Sequence, residues 1–309
     1  MIGAMKRVII DTDPGVDDAL ALILALKSPE LRVELITTVS GNVPVDLGTK
    51  NLFRLLSLLP PPHPPVARGS EGPGDSGGVH GSDGLGDIDP EKYPLPDAPP
   101  VIDLPAPEAI LSLLRENPDE ITLIALGPLT NIAKAIQVDP HTMRGLREIV
   151  AMLGAIRVPG NATPYAEFNC WFDPHAAQVV LNSGIPITLV GLDVTQKVVL
   201  EEGIIEERSR EGGAIAQFVR DCTALYIKFH KTHNRINGCY LHDPLAVAVA
   251  IDPSLVKREE MSVRVETGEG PTRGRTMAES APHNAKACLD VEAERFLKMF
   301  VGRVLGKTL

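Results

Sequence analysis

Four aspartates occur within eight residues, directly after a short apolar run near the start of the chain. Asp11, Asp13, Asp17 and Asp18 follow the run at residues 8–10. A β-branched run followed by Pro-Gly and then by apolar residues at helical spacing is typical of a strand, a tight turn and a helix. The carboxylates are therefore predicted at the carboxyl end of a buried strand, where unpaired charges cost several kcal/mol each. A cation that prefers oxygen ligands, such as Ca²⁺ or Mg²⁺, would offset that cost.

Apolar strand patterns alternate with amphipathic helical patterns through the first two thirds of the 309-residue chain. Strands are predicted at 8–10, 33–39, 121–126, 148–152 and 187–190, and also at 261–266 and 287–291. Helices are predicted at 19–26, 52–59, from about 131, and at 176–181, 215–229, 244–251 and 292–305. No linker divides the chain. The pattern predicts a single α/β domain over residues 1–309, with a mostly parallel central sheet and helices on both faces.

The segment 60–100 interrupts that alternation. It holds eleven of the 27 prolines and a glycine-rich run at 72–86 that contains His80. A loop of this length is unusual in a compact domain and is typical of a lid or binding loop.

Charge and composition exclude several classes of protein. The net charge of −10 argues against a nucleic-acid partner. No apolar run is long enough to span a bilayer and no signal-peptide pattern is present, so we expect a cytoplasmic protein. The four cysteines are predicted to be reduced thiols rather than a disulfide framework or zinc site, because they are scattered without C-x-x-C spacing. They are Cys170, Cys222, Cys239 and Cys288.

Polar side chains follow several of the predicted strands. They are Asn42, Thr130, Asn131, Asn161, Glu167, Asn169 and Asp193. Ligands bind beyond the carboxyl ends of the strands in an open parallel sheet, so these groups indicate a site at that edge. Carboxylates and amides suit the hydroxyls of a neutral polyol and would repel a phosphate. The chain also lacks the phosphate-loop, dinucleotide-binding and G-x-S-x-G motifs.

His242 and Asp243 precede Pro244 and a further apolar helix. Either side chain can simply cap that helix, with the proline in its first turn. In the functional interpretation Asp243 completes the cation site. His242 then lies beside the substrate as a proton donor or hydrogen-bond partner.

Six motifs, taken together and in order, resemble the inosine–uridine preferring nucleoside hydrolases, a family of calcium-dependent ribohydrolases. The motifs lie at residues 11–18, 37–42, 79–81, 127–133, 160–169 and 242–244. The resemblance covers nearly the whole chain and implies the Rossmann-like fold of that family. It implies hydrolysis of the N-glycosidic bond of purine or pyrimidine ribonucleosides to ribose and free base. It also implies a homodimer or homotetramer that acts in nucleoside catabolism or salvage.

The resemblance implies a Ca²⁺ site and a catalytic base. Asp13, Asp18, Asp243 and the main-chain carbonyl of Thr130 would bind the ion, with Asp11 as a supporting neighbour. Asp13 would also act as general base on a Ca²⁺-bound water.

The resemblance also implies the substrate contacts. Asp17 and Asn169 would hold the ribose 2′- and 3′-hydroxyls, and Asn161 and Glu167 would hold the 5′-hydroxyl. Asn42 would lie beside the substrate and order the aspartates.

On the base side, the resemblance implies that His80 and His242 face the nucleobase, with His242 as the acid for the leaving group. Trp171 is predicted in the core, with the base pocket as the alternative. No motif aligns the region that contains Tyr226, His230, His233, Asn234 and Tyr240, so the base preference stays open.

Three alternatives compete with this interpretation. One aspartate could cap a helix in a solvated turn, although a cap needs only one carboxylate. A haloacid-dehalogenase-type phosphatase also begins with Asp-x-Asp after its first strand, but the Asp17–Asp18 pair does not fit that pattern. A calcium-dependent binding protein for nucleosides or sugars would bind its ligand without turnover.

Overall fold

The computed structural model describes residues 5–76, 78–95 and 100–306, and a nine-stranded sheet forms its centre. The strands are β1 Lys6–Thr12, β2 Leu31–Thr38, β3 Val66–Arg68, β4 Ile121–Ala125, β5 Glu148–Ala151, β6 Ile187–Leu189, β7 Val199–Glu201, β8 Gly238–Tyr240, β9 Val256–Val265, β10 Thr276–Glu279 and β11 Ala285–Val291. The order across the sheet is β10-β9-β11-β6-β5-β4-β1-β2-β3, while β7 and β8 form a separate antiparallel pair. All neighbours from β11 to β3 are parallel, and β9 runs antiparallel to β10 and β11. The predicted mostly parallel sheet is confirmed.

Helices cover both faces of this sheet, as predicted. They are α1 Val16–Leu26, α2 Val45–Leu56, α3 Ala106–Glu116, α4 Thr130–Val138, α5 Pro140–Met143, α6 Phe168–Phe172, α7 Pro174–Leu181, α8 Leu192–Thr195, α9 Glu202–Glu211, α10 Ala214–His233, α11 His242–Ile251 and α12 Ala293–Phe300, with a 3₁₀ turn at Pro253–Leu255 and a π-helical turn at Val301–Leu305. Successive side chains of a strand point to opposite faces. Val8 and Ile10 of β1 accordingly pack with α1, α10 and α11, whereas Ile9 packs with α3, α4 and α7. None of the helices in the described part of the chain combines the length and the apolar character that crossing a membrane requires.

The segment 60–100 is only partly a loop, because β3 lies within it and pairs with β2. The pattern analysis does not predict β3 or α3. β3 is three residues long, too short to show alternation. α3 begins among prolines, which are compatible with the first turn of a helix. Residues 77 and 96–99 of this segment lie outside the described residues.

The sheet reverses its direction of growth at β1. β2 and β3 lie on one side of it, and β4, β5 and β6 lie on the other. The connections that leave β1 and β4 therefore diverge and open a crevice beyond the carboxyl ends of these two strands. This is the expected ligand position in an open α/β sheet. The aspartates after β1 and residues 126–131 after β4 lie at this crevice.

Candidate active site

A cavity of about 470 Å³ lies at the carboxyl ends of the central strands. It brings together nine of the side chains predicted from the sequence, namely Asp13, Asp17, Asn42, His80, Asn161, Glu167, Asn169, His242 and Asp243. A wider groove of about 930 Å³ between α7 and the β9–β11 region contains none of them. Of these two cavities among the described residues, the smaller is the candidate site, because it combines enclosure with buried charged groups.

Three buried carboxylates meet at one end of this cavity. Asp17, Asp18 and Asp243 each place an oxygen within 4.8 Å of the others. All three belong to first turns of helices, α1 for the first two and α11 for the third, and those two helix termini converge here. The positive end of a helix dipole offsets part of a negative charge. Two helix termini do not neutralise three carboxylates, so the cluster suits a cation.

The ionisation of these groups reflects their crowding. Burial raises the pKa of Asp17 to about 8, and the charge of Asp18 adds to the effect. Burial, followed by the charges of neighbouring aspartates, also raises the pKa of Asp13 and of Asp243 well above the ordinary value. In addition, the Asp17 Oδ1 is buried with no hydrogen-bond partner among the described residues. A set made only of oxygen donors, one of them unpartnered, fits Ca²⁺ or Mg²⁺.

Asp18 is held in position by several donors. The Thr12 hydroxyl donates to its Oδ1 at 2.5 Å, and the Gly15 N–H donates to its Oδ2 at 3.0 Å. The Asn42 amide also donates to Oδ2 at 3.0 Å, while the Asn42 main-chain N–H donates to Asp13 Oδ2 at 2.8 Å. Asn42 therefore links two aspartates and fixes their separation.

Two glycines enclose the Asp13 carboxylate. A Cβ at Gly41 would overlap Asp13 Oδ2, and a Cβ at Gly127 would lie 2.5 Å from Asp13 Oδ1. The chain after β2 and the chain after β4 therefore approach this carboxylate more closely than any other residue type allows. Both glycines follow predicted strands and lie within the motifs at 37–42 and 127–133, but the sequence does not show that they contact Asp13.

Asp11 lies beneath the cavity rather than in it. It is fully buried, and its Oδ1 accepts hydrogen bonds from the Thr37 hydroxyl and from Asn131 Nδ2. Burial raises the pKa of Asp11 to about 7. Its contacts join β1, β2 and α4 under the site, in agreement with a supporting position.

The structure does not bring Thr130 into the cavity. Its hydroxyl donates to Asp173 Oδ2 at 2.7 Å. In the connection between β4 and α4, the cavity is lined by Leu126, which lies four positions before Thr130 and next to Gly127. The Leu126 carbonyl accepts a hydrogen bond from Asn169 Nδ2 at 2.7 Å, which places this main-chain oxygen beside a side chain that lines the cavity.

Glu167 and Asn169 form the polar wall opposite the aspartates. Glu167 accepts hydrogen bonds from the N–H groups of Asn169, Gly154 and Cys170 at 2.7, 2.9 and 3.1 Å. A carboxylate has about four acceptor positions, so one is left for a ligand. Asn169 uses both protons of its amide on the carbonyls of Leu126 and Met152, at 2.7 and 3.0 Å. Its Oδ1 is thus left to accept from a hydroxyl.

Asn161 lies at the rim of the same wall. Its Oδ1 accepts a hydrogen bond from the Phe168 N–H at 2.9 Å, which leaves its NH₂ group as a donor. Asn161 is exposed, unlike Glu167 and Asn169. It is thus placed to contact the outer part of a bound molecule.

The two predicted histidines are neutral at pH 7. The Val16 N–H donates to His80 Nδ1 at 3.0 Å, so the proton of the His80 ring is on Nε2. The Nδ1 of His242 pairs with the Thr195 hydroxyl at 2.7 Å. Burial lowers the pKa of His80 to about 4 and that of His242 to about 3. Each ring can donate one N–H, which favours a hydrogen-bond role over that of a charged acid.

Aromatic side chains close the end of the cavity nearest these histidines. Tyr226 stacks on His80 with 5.0 Å between ring centroids, and His230, one turn later on α10, meets Tyr226 edge-on at 4.4 Å. Tyr240 packs edge-on against His230 at 5.0 Å. Trp171 is half-buried and also lines the cavity, so its predicted place in the core is wrong. Such a wall suits a flat, unsaturated ligand.

The four cysteines are buried and unpaired. Burial raises the pKa of the Cys170 and Cys222 thiols well above the ordinary value. Protonated thiols are poor nucleophiles, so the site offers no cysteine for covalent chemistry.

Sequence comparisons agree with this geometry. The family model described as "Inosine-uridine preferring nucleoside hydrolase" matches residues 8–298. The chain is 40% identical over 283 residues to a probable uridine nucleosidase 2 of Arabidopsis thaliana, covering 89% of this chain and 86% of that protein. It is 37% identical over 310 residues to the pyrimidine-specific ribonucleoside hydrolase RihA of Salmonella arizonae, covering 96% and 97%.

Solved structures give the same result. A plant nucleoside hydrolase, PpNRh1, superposes with a TM-score of 0.92 at 34% identity and covers 98% of this chain and 99% of its own. A purine-preferring ribonucleoside hydrolase from Gardnerella vaginalis superposes with a TM-score of 0.89 at 35% identity, with 97% and 98% covered.

Proposed function

Because the chain belongs to the inosine-uridine preferring nucleoside hydrolases and is therefore an enzyme that hydrolyses nucleosides, we propose that it does so with a Ca²⁺ ion and with Asp13 as general base. One observation carries this proposal. Asp17, Asp18 and Asp243 form a buried cluster at one end of a cavity that Asp13 also lines, and the Asp17 Oδ1 has no hydrogen-bond partner among the described residues. Without a cation, such a cluster binds protons and its members lose the charge that their chemistry needs.

Asp18 and Asp243, two of the three clustered carboxylates, would hold the ion together with Asp13. The third, Asp17, would lie beside the ion, with its unpartnered Oδ1 left for the ribose. The Leu126 carbonyl replaces that of Thr130 in this proposal, because Leu126 lines the cavity and Thr130 does not. When bound, Ca²⁺ would lower the pKa of a water in its coordination shell.

Asp13 takes the proton of the attacking water. Its Oδ2 accepts from the Asn42 N–H, and its Oδ1 is directed toward the end of β4 at Gly127. As the water oxygen bonds to the anomeric carbon, the C–N bond breaks and its electron pair moves to the departing base. General-base catalysis of this kind contributes about 10²–10⁴-fold to the rate.

The ribose lies between the aspartates and the polar wall. Asp17 Oδ1 and Asn169 Oδ1 are acceptors suited to the 2′- and 3′-hydroxyls. Glu167 has one acceptor position left and Asn161 offers an NH₂ group, which suits the 5′-hydroxyl. These contacts position the anomeric carbon for attack, and correct positioning is a large part of catalysis.

The nucleobase occupies the aromatic end of the cavity. Tyr226 contributes stacking area, and the His80 ring offers its Nε2–H. The His242 ring offers an Nε2–H in the tautomer whose Nδ1 accepts from the Thr195 hydroxyl, and the proposal uses this tautomer. A hydrogen bond from His242 to the departing base would stabilise the negative charge that develops on it.

Substitution of Gly41 by alanine tests the position of Asp13. We expect kcat for ribose release to fall by about 10²-fold while the protein stays folded, because the new methyl group displaces the carboxylate. Gly203→Ala is the matched control, since a Cβ there meets no neighbouring atom. Equal kcat values for the two variants would show that Asp13 need not be held where the structure has it.

The activity itself is tested by incubating the enzyme with inosine, adenosine, guanosine, uridine and cytidine and separating ribose and free base by chromatography. We expect equimolar ribose and base from at least one nucleoside. Binding without turnover would favour a nucleoside-binding protein. Phosphate release from an aryl phosphate, with no ribose from any nucleoside, would favour the phosphatase interpretation.

We extend the proposal to a homodimer or homotetramer that acts in nucleoside catabolism or salvage, as the family resemblance implies. Light scattering on the purified protein measures the mass directly. A mass of about 33 kDa, that of one chain, would contradict the proposed self-association.

A further inference from the structure

One buried nitrogen at the aromatic end of the cavity has no hydrogen-bond partner in the part of the chain that the structure describes. His230 lies near the end of α10, is 4% exposed and lines the cavity. Its Nδ1 is 2.9 Å from Asn234 Oδ1. Its Nε2 is buried and makes no hydrogen bond to any residue within the described ranges. A buried polar atom without a partner is costly, so this nitrogen calls for a group supplied by a ligand.

The contact with Asn234 determines what Nε2 can do. An amide oxygen only accepts hydrogen bonds, so His230 Nδ1 carries the ring proton. In a neutral imidazole the other nitrogen is then an acceptor. Burial lowers the pKa of His230, in keeping with a neutral ring. Tyr226 and Tyr240 both pack edge-on against the ring, at 4.4 and 5.0 Å between centroids, and these contacts restrict its orientation.

We propose that His230 is a specificity-determining residue whose Nε2 accepts a hydrogen bond from the ring N–H of the nucleobase. The inference rests on the proposed function, since it requires the base to occupy the aromatic end of the cavity. Uracil carries such a proton on N3, and hypoxanthine and guanine carry one on N1. Cytosine and adenine have a lone pair at the same ring position. The site therefore selects uridine, inosine and guanosine over cytidine and adenosine.

The selection has a simple physical origin. With uridine or inosine, the ring N–H and Nε2 satisfy each other. With cytidine or adenosine, two lone pairs face each other in a pocket that excludes water, and both stay unpaired. Loss of one hydrogen bond to a buried neutral group corresponds to about ten- to a hundredfold in kcat/KM.

The test compares kcat/KM for uridine with cytidine and for inosine with adenosine. The wild type is expected to prefer the first member of each pair by about ten- to a hundredfold. His230→Phe keeps an aromatic ring but removes the acceptor. The ratio of kcat/KM within each pair should therefore fall to within about threefold of one, chiefly because kcat/KM for uridine and inosine decreases. Lys228→Ala, an exposed change on the same helix, should keep the wild-type ratio.

Asn234→Leu tests the tautomer separately. It removes the oxygen that holds the proton on Nδ1, so the ratio should fall part of the way while His230 is intact. A merely structural role of His230 would lower kcat/KM equally for both members of a pair and would overturn the inference. So would a wild type that prefers cytidine and adenosine. Absence of ribose from all four nucleosides would instead overturn the proposed function, and this inference with it.

Discussion

Asp13→Asn is expected to lower kcat for ribose release by about 10²–10⁴-fold, the contribution of a general base. Asparagine keeps the shape of the side chain and can still accept the hydrogen bond from the Asn42 N–H, but it cannot take a proton. It also removes one charge from a crowded cluster, so we expect no loss of thermal stability. The measurement is steady-state ribose release, with thermal unfolding recorded on the same samples.

Asp290→Asn is the matched control for Asp13→Asn. Asp290 makes exposed ion pairs with Lys257 and Lys197, and pairs of this kind contribute little to stability. We expect wild-type kcat for this variant. An Asp13→Asn enzyme that is folded and keeps more than a tenth of wild-type kcat would exclude Asp13 as the base.

Metal-free protein is expected to lose stability as the pH rises from 6.5 to 8. An aspartate titrates near 3.9 in an unfolded chain, whereas the folded protein raises the pKa of Asp17 to about 8 and that of Asp11 to about 7. The folded state thus binds more protons than the unfolded state, and this stability is lost as the pH rises through the folded pKa. We expect the free energy of unfolding to fall by about 1–2 kcal/mol for each such carboxyl.

The pH window of that experiment is set by the histidines. The pKa of His80 is lowered to about 4 and that of His242 to about 3, against about 6.5 unfolded. The two neutral histidines stabilise the folded protein fully above pH 6.5, and this stabilisation is lost as the pH falls below 6.5. The aspartates act in the opposite direction, because their stabilisation is lost as the pH rises. Above pH 6.5 only the aspartate effect changes.

Ca²⁺ is expected to reverse this loss, because a bound cation favours the charged carboxylates. Binding to the folded state alone adds about 2.7 kcal/mol at a hundredfold excess over the dissociation constant. The added stability should be larger at pH 8 than at pH 6.5, as measured by thermal or denaturant unfolding. Asp243→Ala protein should gain much less. Equal responses of both proteins would place the cation elsewhere.

The first strand and its aspartates show how much of this site is predictable from sequence. A short β-branched run followed by Pro-Gly predicts a buried strand, and four carboxylates at its end require a cation or protons. The rule that ligands lie at strand ends then brings Asn42, Asn161, Glu167 and Asn169 toward one edge of the sheet. These are local patterns joined by one topological rule, and the structure gathers these four side chains with Asp13 and Asp17 in one cavity.

Features that depend on the path of the backbone were not predictable in this way. A main-chain carbonyl has no residue identity, so nothing in the sequence distinguishes Leu126 from Thr130. The glycines at 41 and 127 matter because two connections approach Asp13 from β2 and β4, which requires the order of the strands. The pairing of His230 with Asn234 depends on where α10 ends. The helix α6 has five residues and is too short to show a periodic pattern, so the sequence does not indicate that Trp171 lines the cavity.

The most direct test of the account is ribose release by enzyme from which metal has been removed, with removal verified by elemental analysis. Wild-type protein should release no measurable ribose from inosine or uridine in this state, and stoichiometric Ca²⁺ should restore the original kcat. Asp243→Ala protein should show little recovery at the same Ca²⁺ concentration. Full activity in verified metal-free protein would contradict the central claim that the buried aspartates act through a bound cation.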